Sequence, residues 1–211
     1  MKFRIGPNKA PLRAGQARQI RIIGGLWKRT PLTVPDAEGL RPTPDRVRET
    51  LFNWLQHLVG GQWARLRCLD LFAGTGALGF EAASRGAAQV TMIEENLTAL
   101  QHLQAVTEKL QARQIDVVRG DALSAARSLA ARPDAVRFDL IFLDPPYHQD
   151  WLPRILPACA ELLANGGWVY AESEFPLDAD TIPEWLSGWN VVRADKAGMV
   201  FYHLLQRKIS A

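Results

Sequence analysis

The chain has 211 residues, 47% of them hydrophobic, and a formal net charge of +3, which suits one α/β domain with a small extension. No apolar run approaches the roughly 18 residues of a membrane span, no apolar signal-peptide segment follows the basic N-terminus, and Cys68 and Cys159 suggest neither a disulfide framework nor a metal motif. These features argue against membrane, secreted disulfide-rich and zinc-binding classes. We expect a soluble, cytoplasmic monomer that binds no metal.

The N-terminal region is strongly basic. Residues 1–48 contain eleven Lys or Arg and three Asp or Glu, a net charge of +8 that leaves −5 for residues 49–211. Residues 1–17 show no periodicity and are expected to be disordered unless bound. A basic arm on an acidic body predicts a polyanionic partner such as nucleic acid, because phosphates supply most of the sequence-independent affinity. The alternative is a solvated tail.

Residues 18–60 are expected to form a small extension, a β-hairpin followed by a helix. The segments QIRIIGG and PLTVP suit the two hairpin strands. Thr43 is predicted to cap the helix, with Pro44 at its first position and Asp45 near its positive end. One apolar helical face is then predicted, formed by Val47, Leu51, Trp54, Leu55 and Leu58.

Residues 61–211 are expected to form the main domain, in which strands alternate with helices. Strands are predicted at 66–72, 89–94, 115–119, 138–143 and 167–173, and a terminal hairpin at 189–194 and 199–206. Asn96 is predicted to cap a helix whose inward side chains are Leu97, Leu100, Leu103, Val106 and Leu110. This order predicts a Rossmann-like α/β fold with a seven-stranded, mostly parallel sheet and a terminal antiparallel hairpin. Ligands of such sheets bind beyond the carboxyl ends of the strands.

The loop after the first strand of this domain is rich in glycine. In DLFAGTGALGFEA, Gly74, Gly76 and Gly79 form a literal G-x-G-x-x-G between a strand and a helix. Glycines allow tight turns and a close approach of the backbone to a ligand. The pattern suits NAD enzymes, S-adenosylmethionine (AdoMet) methyltransferases and plain strand-to-helix turns, so neighbouring residues must discriminate between them.

Acidic residues follow three of the strands. Asp70 would repel the phosphates of a dinucleotide but suits the amino group and sulfonium of AdoMet. Glu94, or alternatively its neighbour Glu95, is positioned to accept hydrogen bonds from ribose hydroxyls. Asp121 is positioned to contact an adenine amino group, to cap the next helix, or to do both. Both cofactor classes use an acid such as Glu94 on a ribose, so the preference for AdoMet over NAD rests on Asp70.

The fourth strand ends in Asp144-Pro145-Pro146-Tyr147. Methylating an exocyclic amine of a nucleobase requires its nitrogen lone pair to be freed from the ring. Asp144 and a backbone carbonyl that accept both N–H bonds would favour a more tetrahedral nitrogen, and the two prolines would hold that carbonyl rigidly. Tyr147 would stack on the base, and Asp144 would take the released proton. The alternative is a proline-terminated strand with a core tyrosine.

These motifs resemble the class I AdoMet-dependent methyltransferases that act on amino groups. More narrowly, the chain is similar to the RsmD family of bacterial 16S rRNA guanine-N(2) methyltransferases. The resemblance covers the chain from about Arg18. It rests on RIIGG (21–25), LRPTPDRVRETLFNWL (40–55), CLDLFAGTGALGFEA (68–82), VTMIEEN (90–96), FLDPPY (142–147) and VYAESE (169–174).

The resemblance implies transfer of the AdoMet methyl group to the 2-amino group of one 16S rRNA guanine, known in the family as guanine 966, in naked rRNA or in a small-subunit assembly particle. It implies that Asp144 and the Pro145 carbonyl hold the amine and that Tyr147 stacks. The implied cofactor pocket consists of Asp70, Phe72, Gly74, Gly76, Glu94, Asp121 and Ala122. The family's basic-Gly-Arg run after the first hairpin strand is here Lys28-Arg29-Thr30, which weakens an RNA role for Lys28 and Arg29.

Several charged residues have two interpretations. Arg41, Arg46 and Arg48 flank a helix start that closes over the pocket in the family. Arg46 or Arg48 would meet a phosphate or the cofactor carboxylate, or would instead pair with Asp45 or Glu49. His148 is a candidate substrate contact. Glu172 and Glu174, beyond the fifth strand, either border the site or lie on a solvated surface.

Three rival functions fit parts of the sequence. An adenine or cytosine amino-methyltransferase acting on DNA or RNA would share the Asp-Pro-Pro-Tyr motif, although the DNA enzymes usually carry a separate recognition domain. An NAD(P)-dependent oxidoreductase would share the glycine loop, but Asp70 and the Asp-Pro-Pro-Tyr motif argue against it. A non-catalytic ribosome-assembly factor would keep the fold, and the intact Asp144 argues against that.

Overall fold

The computed structural model describes residues 19–35, 43–132, 135–177 and 184–208. The predicted basic arm and Arg41 lie outside these ranges. The strands are β1 Gln19–Arg21, β2 Pro31–Thr33, β3 Arg67–Asp70, β4 Gln89–Glu94, β5 Ile115–Arg119, β6 Phe138–Leu143, β7 Leu163–Ser173, β8 Trp189–Ala197 and β9 Val200–Arg207. The helices are α1 Asp45–Leu58, α2 Ala77–Ser84, α3 Leu97–Lys109, α4 Ala122–Ala130 and α5 Trp151–Leu162.

A seven-stranded sheet is the centre of the molecule, in the order β5-β4-β3-β6-β7-β9-β8. The first five strands of this order are parallel, and β9 and β8 are antiparallel neighbours at one edge. The predicted α/β fold with a terminal hairpin is therefore confirmed. Because the chain leaves β3 towards β4 on one side while β6 lies on the other, the carboxyl ends of β3 and β6 form the switch point where ligands bind in such sheets.

Two apolar layers cover the sheet. On one face, α1, α2 and α3 pack over Cys68, Met92, Phe142 and Tyr170. On the other face, α4 and α5 pack over alternate residues of the same strands. The alternation follows from the period of two in a strand, which sends neighbouring side chains to opposite faces. Among the described residues, none of the helices has the length and apolar character of a membrane crossing.

The predicted N-terminal hairpin forms from β1 and β2 and is anchored on the end of α2. The buried Glu81 carboxylate accepts the amides of Ile23 and Gly24 at 2.6 and 2.9 Å. Gly25 has a φ of +75°, and a Cβ there would lie 1.9 Å from the Ser84 carbonyl oxygen. Only glycine allows this approach. The extension and the sheet share one apolar core, and the division near residue 60 remains a prediction.

Three local predictions differ from the structure. Leu97 is 50% exposed because it is the first residue of α3, at the open carboxyl end of the sheet. The fifth predicted strand begins earlier, at Leu163, where it pairs with Phe138 before a register shift. Thr43 does not cap α1, which has Pro44 at its N-cap and no side-chain cap. The Thr43 hydroxyl instead points into the sheet.

Candidate active site

Four acidic side chains lie on one face of the sheet at its carboxyl edge. Asp70 pairs with Met92 and Phe142 on the two flanking strands, so Glu94 and Asp144, each two residues further on, share its face. Leu143 pairs with Ala171, and the next step of that register brings Glu172 beside Asp144. The parallel strands therefore gather Asp70, Glu94, Asp144 and Glu172 from four distant parts of the chain.

Asp70 is almost completely buried at the centre of this group. Its Oδ2 accepts the Gly79 amide at 3.2 Å, whereas Oδ1 is buried without a hydrogen-bond partner among the described residues. Burial, and next the charge of Asp144, raise the pKa of Asp70 to about 7. The carboxyl groups of Asp144 and Glu94 beside it make this edge acidic, which suits a positively charged ligand group.

The raised pKa of Asp70 predicts a pH-dependent stability. The folded state holds its proton up to about pH 7, whereas the unfolded state releases it near pH 4, so this group stabilises less as pH rises between those values. Asp70→Asn should remove a difference on the order of a few kcal/mol between pH 5 and pH 8. Urea unfolding at both pH values tests this, with the exposed Asp116→Asn as control. Equal pH dependence of wild type and Asp70→Asn would contradict it.

The glycine loop and Glu94 form one hydrogen-bonded unit. Glu94 accepts the amide of Gly74 at 2.7 Å and that of Asn96 at 2.8 Å. Gly76 precedes α2 with a φ of +77°, and a Cβ there would lie 2.4 Å from the Phe80 ring. The half-buried Glu94 is therefore held at the mouth of the loop, whereas Glu95 is exposed. This geometry favours Glu94 over Glu95 as the ligand residue.

The remaining predicted pocket residues lie on the neighbouring elements. Asp121 is the N-cap of α4 and accepts the Ser124 amide at 2.8 Å, which is the first cause that lowers its pKa. The capping interpretation is therefore correct, and contact with adenine stays a prediction. Ala122 is buried, and the half-buried Phe72 ring packs edge-on against Trp151 at 5.1 Å between centroids. The contact between Phe72 and Trp151 was not predicted from the sequence.

The loop after β6 carries the predicted catalytic residues. Pro145 is buried, Pro146 is exposed and Tyr147 is half-buried. His148 has a φ of 62°, a strained value for a residue with a side chain. Glu174 holds it, since its carboxylate accepts the His148 amide and lies 2.7 Å from Nδ1. Glu174 thus fastens the motif loop to the end of β7.

Asp144 itself is enclosed by polar groups from three segments. Its Oδ2 accepts the Thr43 hydroxyl at 2.8 Å, and the buried Glu172 lies on the neighbouring strand beside it. Tyr170 donates its hydroxyl to Glu172 Oε1 at 2.8 Å. Burial raises the pKa of Asp144 to about 6, and the Thr43 and Glu172 hydrogen bonds limit that rise. From the sequence, Glu172 could either border the site or lie on a solvated surface. In the structure it is buried beside Asp144.

Arg46 and Arg48 have different environments. Arg48 is fully buried and forms an ion pair with Asp45 at 2.6 Å, so the alternative of a phosphate or cofactor contact is wrong for it. Its other donors bind backbone carbonyls of Thr43 and Arg21. Arg46 is exposed on α1. The pKa of Asp195 is lowered mainly by a hydrogen bond from the Lys196 amide, and the charge of Arg46 lowers it further.

AdoMet is the cofactor that the resemblance implies, and the residues of this edge match several of its groups. The unpartnered Asp70 oxygen suits a positive group and the Glu94 carboxylate suits hydroxyls, while Gly74 and Gly76, with φ values of 52° and 77°, form the tight turn before α2. These residues fit AdoMet and disfavour a pyrophosphate. Within the described ranges, no three His, Cys, Asp or Glu side chains are arranged to hold a metal ion.

The chain is similar to known proteins over most of its length. Residues 20–206 match the family model described as Conserved hypothetical protein 95. Ribosomal RNA small subunit methyltransferase D of Escherichia coli K12 is 41% identical over 206 residues, which are 95% of this chain and 96% of that protein. The Haemophilus influenzae protein of the same name is 37% identical over 196 residues, covering 89% and 94% of the two chains.

Solved structures agree. The yhhF protein of Escherichia coli is 40% identical with a TM-score of 0.75, covering 90% of this chain and 99% of that chain. A ribosomal protein L11 methylase from Lactobacillus delbrueckii subsp. bulgaricus, 18% identical, has a TM-score of 0.59 over 82% and 83% of the two chains and shows the fold alone. With a family model matched over nearly its whole length and relatives this similar, the chain belongs to the Conserved hypothetical protein 95 family, the RsmD family of methyltransferases.

Proposed function

We propose that this protein transfers the methyl group of AdoMet to the exocyclic 2-amino group of a guanine in bacterial 16S rRNA. The observation that carries the proposal is Asp144, a partly accessible carboxylate followed by two prolines and a half-buried tyrosine, beside the acidic glycine loop. The relatives named for small-subunit rRNA methylation support rRNA as the substrate. The RsmD resemblance supports the 2-amino group of guanine 966, and we expect a cytoplasmic monomer.

The cofactor side of the site is assigned to the loop after β3 and its neighbours. Asp70 would face the positive part of AdoMet, Glu94 its ribose hydroxyls, and Asp121 its adenine amino group. Phe72 and Ala122 would supply apolar walls. When bound, AdoMet supplies an electrophilic methyl group, and the role of these residues is to hold it at the switch point beside Asp144.

The acceptor side is assigned to the loop after β6. Asp144 and the Pro145 carbonyl would accept the two N–H bonds of the amine, which frees the nitrogen lone pair for attack. Pro146 restricts the backbone of Pro145 and so keeps that carbonyl aimed. Tyr147 would stack on the guanine, which must leave its own stack to reach the site. Asp144 would then receive the proton that the methylated amine loses.

The test is methyl transfer from labelled AdoMet to 16S rRNA, to small-subunit assembly particles and to plasmid DNA, followed by nucleoside analysis. N2-methylguanosine in either rRNA substrate is expected. Methyladenine or methylcytosine would instead support one of the other amino-methyltransferases. Binding of rRNA without any methyl transfer would support an assembly factor, and tight binding of NAD would support an oxidoreductase.

The basic arm gives a separate prediction. Residues 1–17 contain Lys2, Arg4, Lys9 and Arg13 and no acidic residue. Phosphate contacts add affinity without base specificity, so deleting the arm should weaken RNA binding and flatten its salt dependence. The log–log slope should fall by roughly 0.7 for each lost contact with a single strand. The methylated guanine and the affinity for AdoMet should not change.

A salt titration of full-length and truncated protein on the same RNA measures this effect. A full-length variant with the four basic residues replaced by glutamine separates charge from chain length. If truncation leaves both the affinity and the salt slope unchanged, the arm is a passive tail. Methylation of a different nucleotide by the truncated enzyme would contradict both interpretations.

A further inference from the structure

The Asp144 carboxyl is held from the side of the N-terminal extension by Thr43. Thr43 is only 4% exposed, and its hydroxyl donates to Asp144 Oδ2 at 2.8 Å. The two residues are 101 positions apart in the chain, so only the packing of α1 on the sheet brings them together. A hydroxyl that donates to a carboxylate favours its charged form and restricts its rotation.

The peptide that carries Thr43 is itself held by a buried arginine. Arg48 donates to the Thr43 carbonyl at 3.3 Å, to the Arg21 carbonyl at 2.9 Å and to Asp45 Oδ1 at 2.6 Å. Burying a guanidinium is costly unless its donors are satisfied. Here each of the three nitrogens has an acceptor, from the start of α1 or from β1. Arg48 therefore ties the hairpin and the start of α1 into one unit behind Thr43.

Glu172 reaches Asp144 from the opposite side. It is 3% exposed, extends from β7 beside Asp144, and accepts the Tyr170 hydroxyl at 2.8 Å. Two neighbouring carboxyl groups that are largely shielded from water do not readily ionise together, so the pair shares one proton. Burial, and then the charge of Asp144, raise the pKa of Glu172 well above its usual range. Glu172 is also the more deeply buried of the two, since Asp144 is only half-buried; the shared proton therefore belongs on Glu172, which donates it to Asp144.

We propose that Thr43 and Glu172 are positioning residues for methyl transfer, which hold Asp144 from two sides as a charged, correctly oriented acceptor. The Thr43 hydroxyl and the neutral Glu172 carboxyl direct their hydrogen atoms at Asp144, and its remaining lone pairs are left for the substrate amine. The proposal rests on the proposed function in so far as Asp144 is the acceptor. The N-terminal extension is then a part of the active site.

Other ionisable groups surround Asp144 and Glu172 and would affect the pH dependence of kcat. Asp70 on β3 and Glu94 on β4 lie on the cofactor side of Asp144, Tyr170 and Tyr202 lie on β7 and β9, and Arg48 stands behind Thr43. Asp70 titrates in nearly the same pH range as Asp144, because its pKa is raised to about 7 and that of Asp144 to about 6. A pH profile of activity alone would mix the two groups, so the pKa of Asp144 must also be read directly.

Two pairs of variants separate positioning from folding. Thr43→Val removes the hydroxyl at nearly constant shape, and Thr43→Ser restores a hydroxyl. Glu172→Gln keeps a donor for Asp144 and an acceptor for Tyr170 but cannot ionise, whereas Glu172→Leu removes both. The readouts are kcat against pH at saturating AdoMet, and the ¹³C titration of labelled aspartate in the free protein. The Asp144 resonance is identified by its loss in Asp144→Asn.

Thr43→Val and Glu172→Leu should raise the Asp144 titration midpoint and lower kcat at neutral pH by roughly 10- to 100-fold. Thr43→Ser should restore both values. Glu172→Gln, which still offers a donor to Asp144, should keep the Asp144 midpoint and the kcat at neutral pH close to the wild-type values. Glu172→Gln thus remains informative even where Glu172→Leu unfolds.

The outcomes of this experiment are distinguishable from those of the proposed function. An Asp144 midpoint that does not move in Thr43→Val overturns the inference, even when the wild type methylates rRNA. So does an Asp144 midpoint that moves as far in Glu172→Gln as in Glu172→Leu. A wild type without methyl transfer, but with midpoints that move as stated, overturns the proposed function alone, because the NMR titration needs no substrate.

Discussion

Replacing Asp144 by alanine is expected to reduce kcat by about 10² to 10³, the usual effect of losing one aimed group in a transition state. The affinity for AdoMet should stay close to that of the wild type, because the proposed function assigns Asp144 to the amine rather than to the cofactor. Calorimetry with AdoMet and a methyl-transfer assay measure the two quantities. Loss of kcat without loss of cofactor binding is the signature of an interaction made with the reacting group.

Asp144→Asn separates the two roles of this side chain. The amide keeps one acceptor oxygen but cannot take up the proton that the amine releases. Activity between those of wild type and Asp144→Ala would assign part of the effect to each role. Asp116→Ala, at an exposed aspartate of β5, is the matched control. Wild-type turnover by Asp144→Ala would remove Asp144 from the mechanism.

Replacing Glu94 by alanine should have the opposite pattern, with weaker AdoMet binding and little change in kcat at saturation. The loss of charged hydrogen bonds to the ribose is worth about 1–3 kcal/mol, which is roughly 5- to 150-fold in Kd. The structure adds a second cause. Glu94 also accepts the Gly74 amide, so its removal loosens the loop on which the cofactor would lie.

The control for this prediction is the next residue. Glu95→Ala removes an equal charge from an exposed position and should leave the Kd for AdoMet unchanged. A larger effect for Glu95→Ala than for Glu94→Ala would move the ribose contact to Glu95. Because both variants raise the net charge by the same amount, a general electrostatic effect cannot produce a difference between them.

Much of the fold could be predicted from local patterns. The strand boundaries at 89–94, 115–119 and 138–143 and the Asn96 cap agree with the structure, because strand alternation and helix capping are short-range effects. The prediction that the Leu97 side chain points inward was wrong for a related reason. Helical periodicity identifies a face but does not say where the neighbouring layer ends.

The candidate site was predictable where its residues follow strands. Parallel strands bring their carboxyl ends to one edge, so Asp70, Glu94 and Asp144 were expected together before any coordinates. The sequence could not decide whether Glu172 borders the site, because its position relative to Asp144 depends on the register between β6 and β7. That register includes a shift after Phe138, which cannot be predicted from the local sequence pattern.

The sequence by itself determined the fold class, the glycine-rich loop and the Asp-Pro-Pro-Tyr motif, since each depends on residues within a few positions of one another. Only the tertiary structure decided what surrounds Asp144. Locally, Thr43 is a good helix cap and Arg48 a surface cation, yet in the folded chain Thr43 donates to Asp144 and Arg48 is buried behind it. The physical reason is that a buried hydroxyl or guanidinium takes the acceptors that packing brings to it, and these acceptors come from distant parts of the chain.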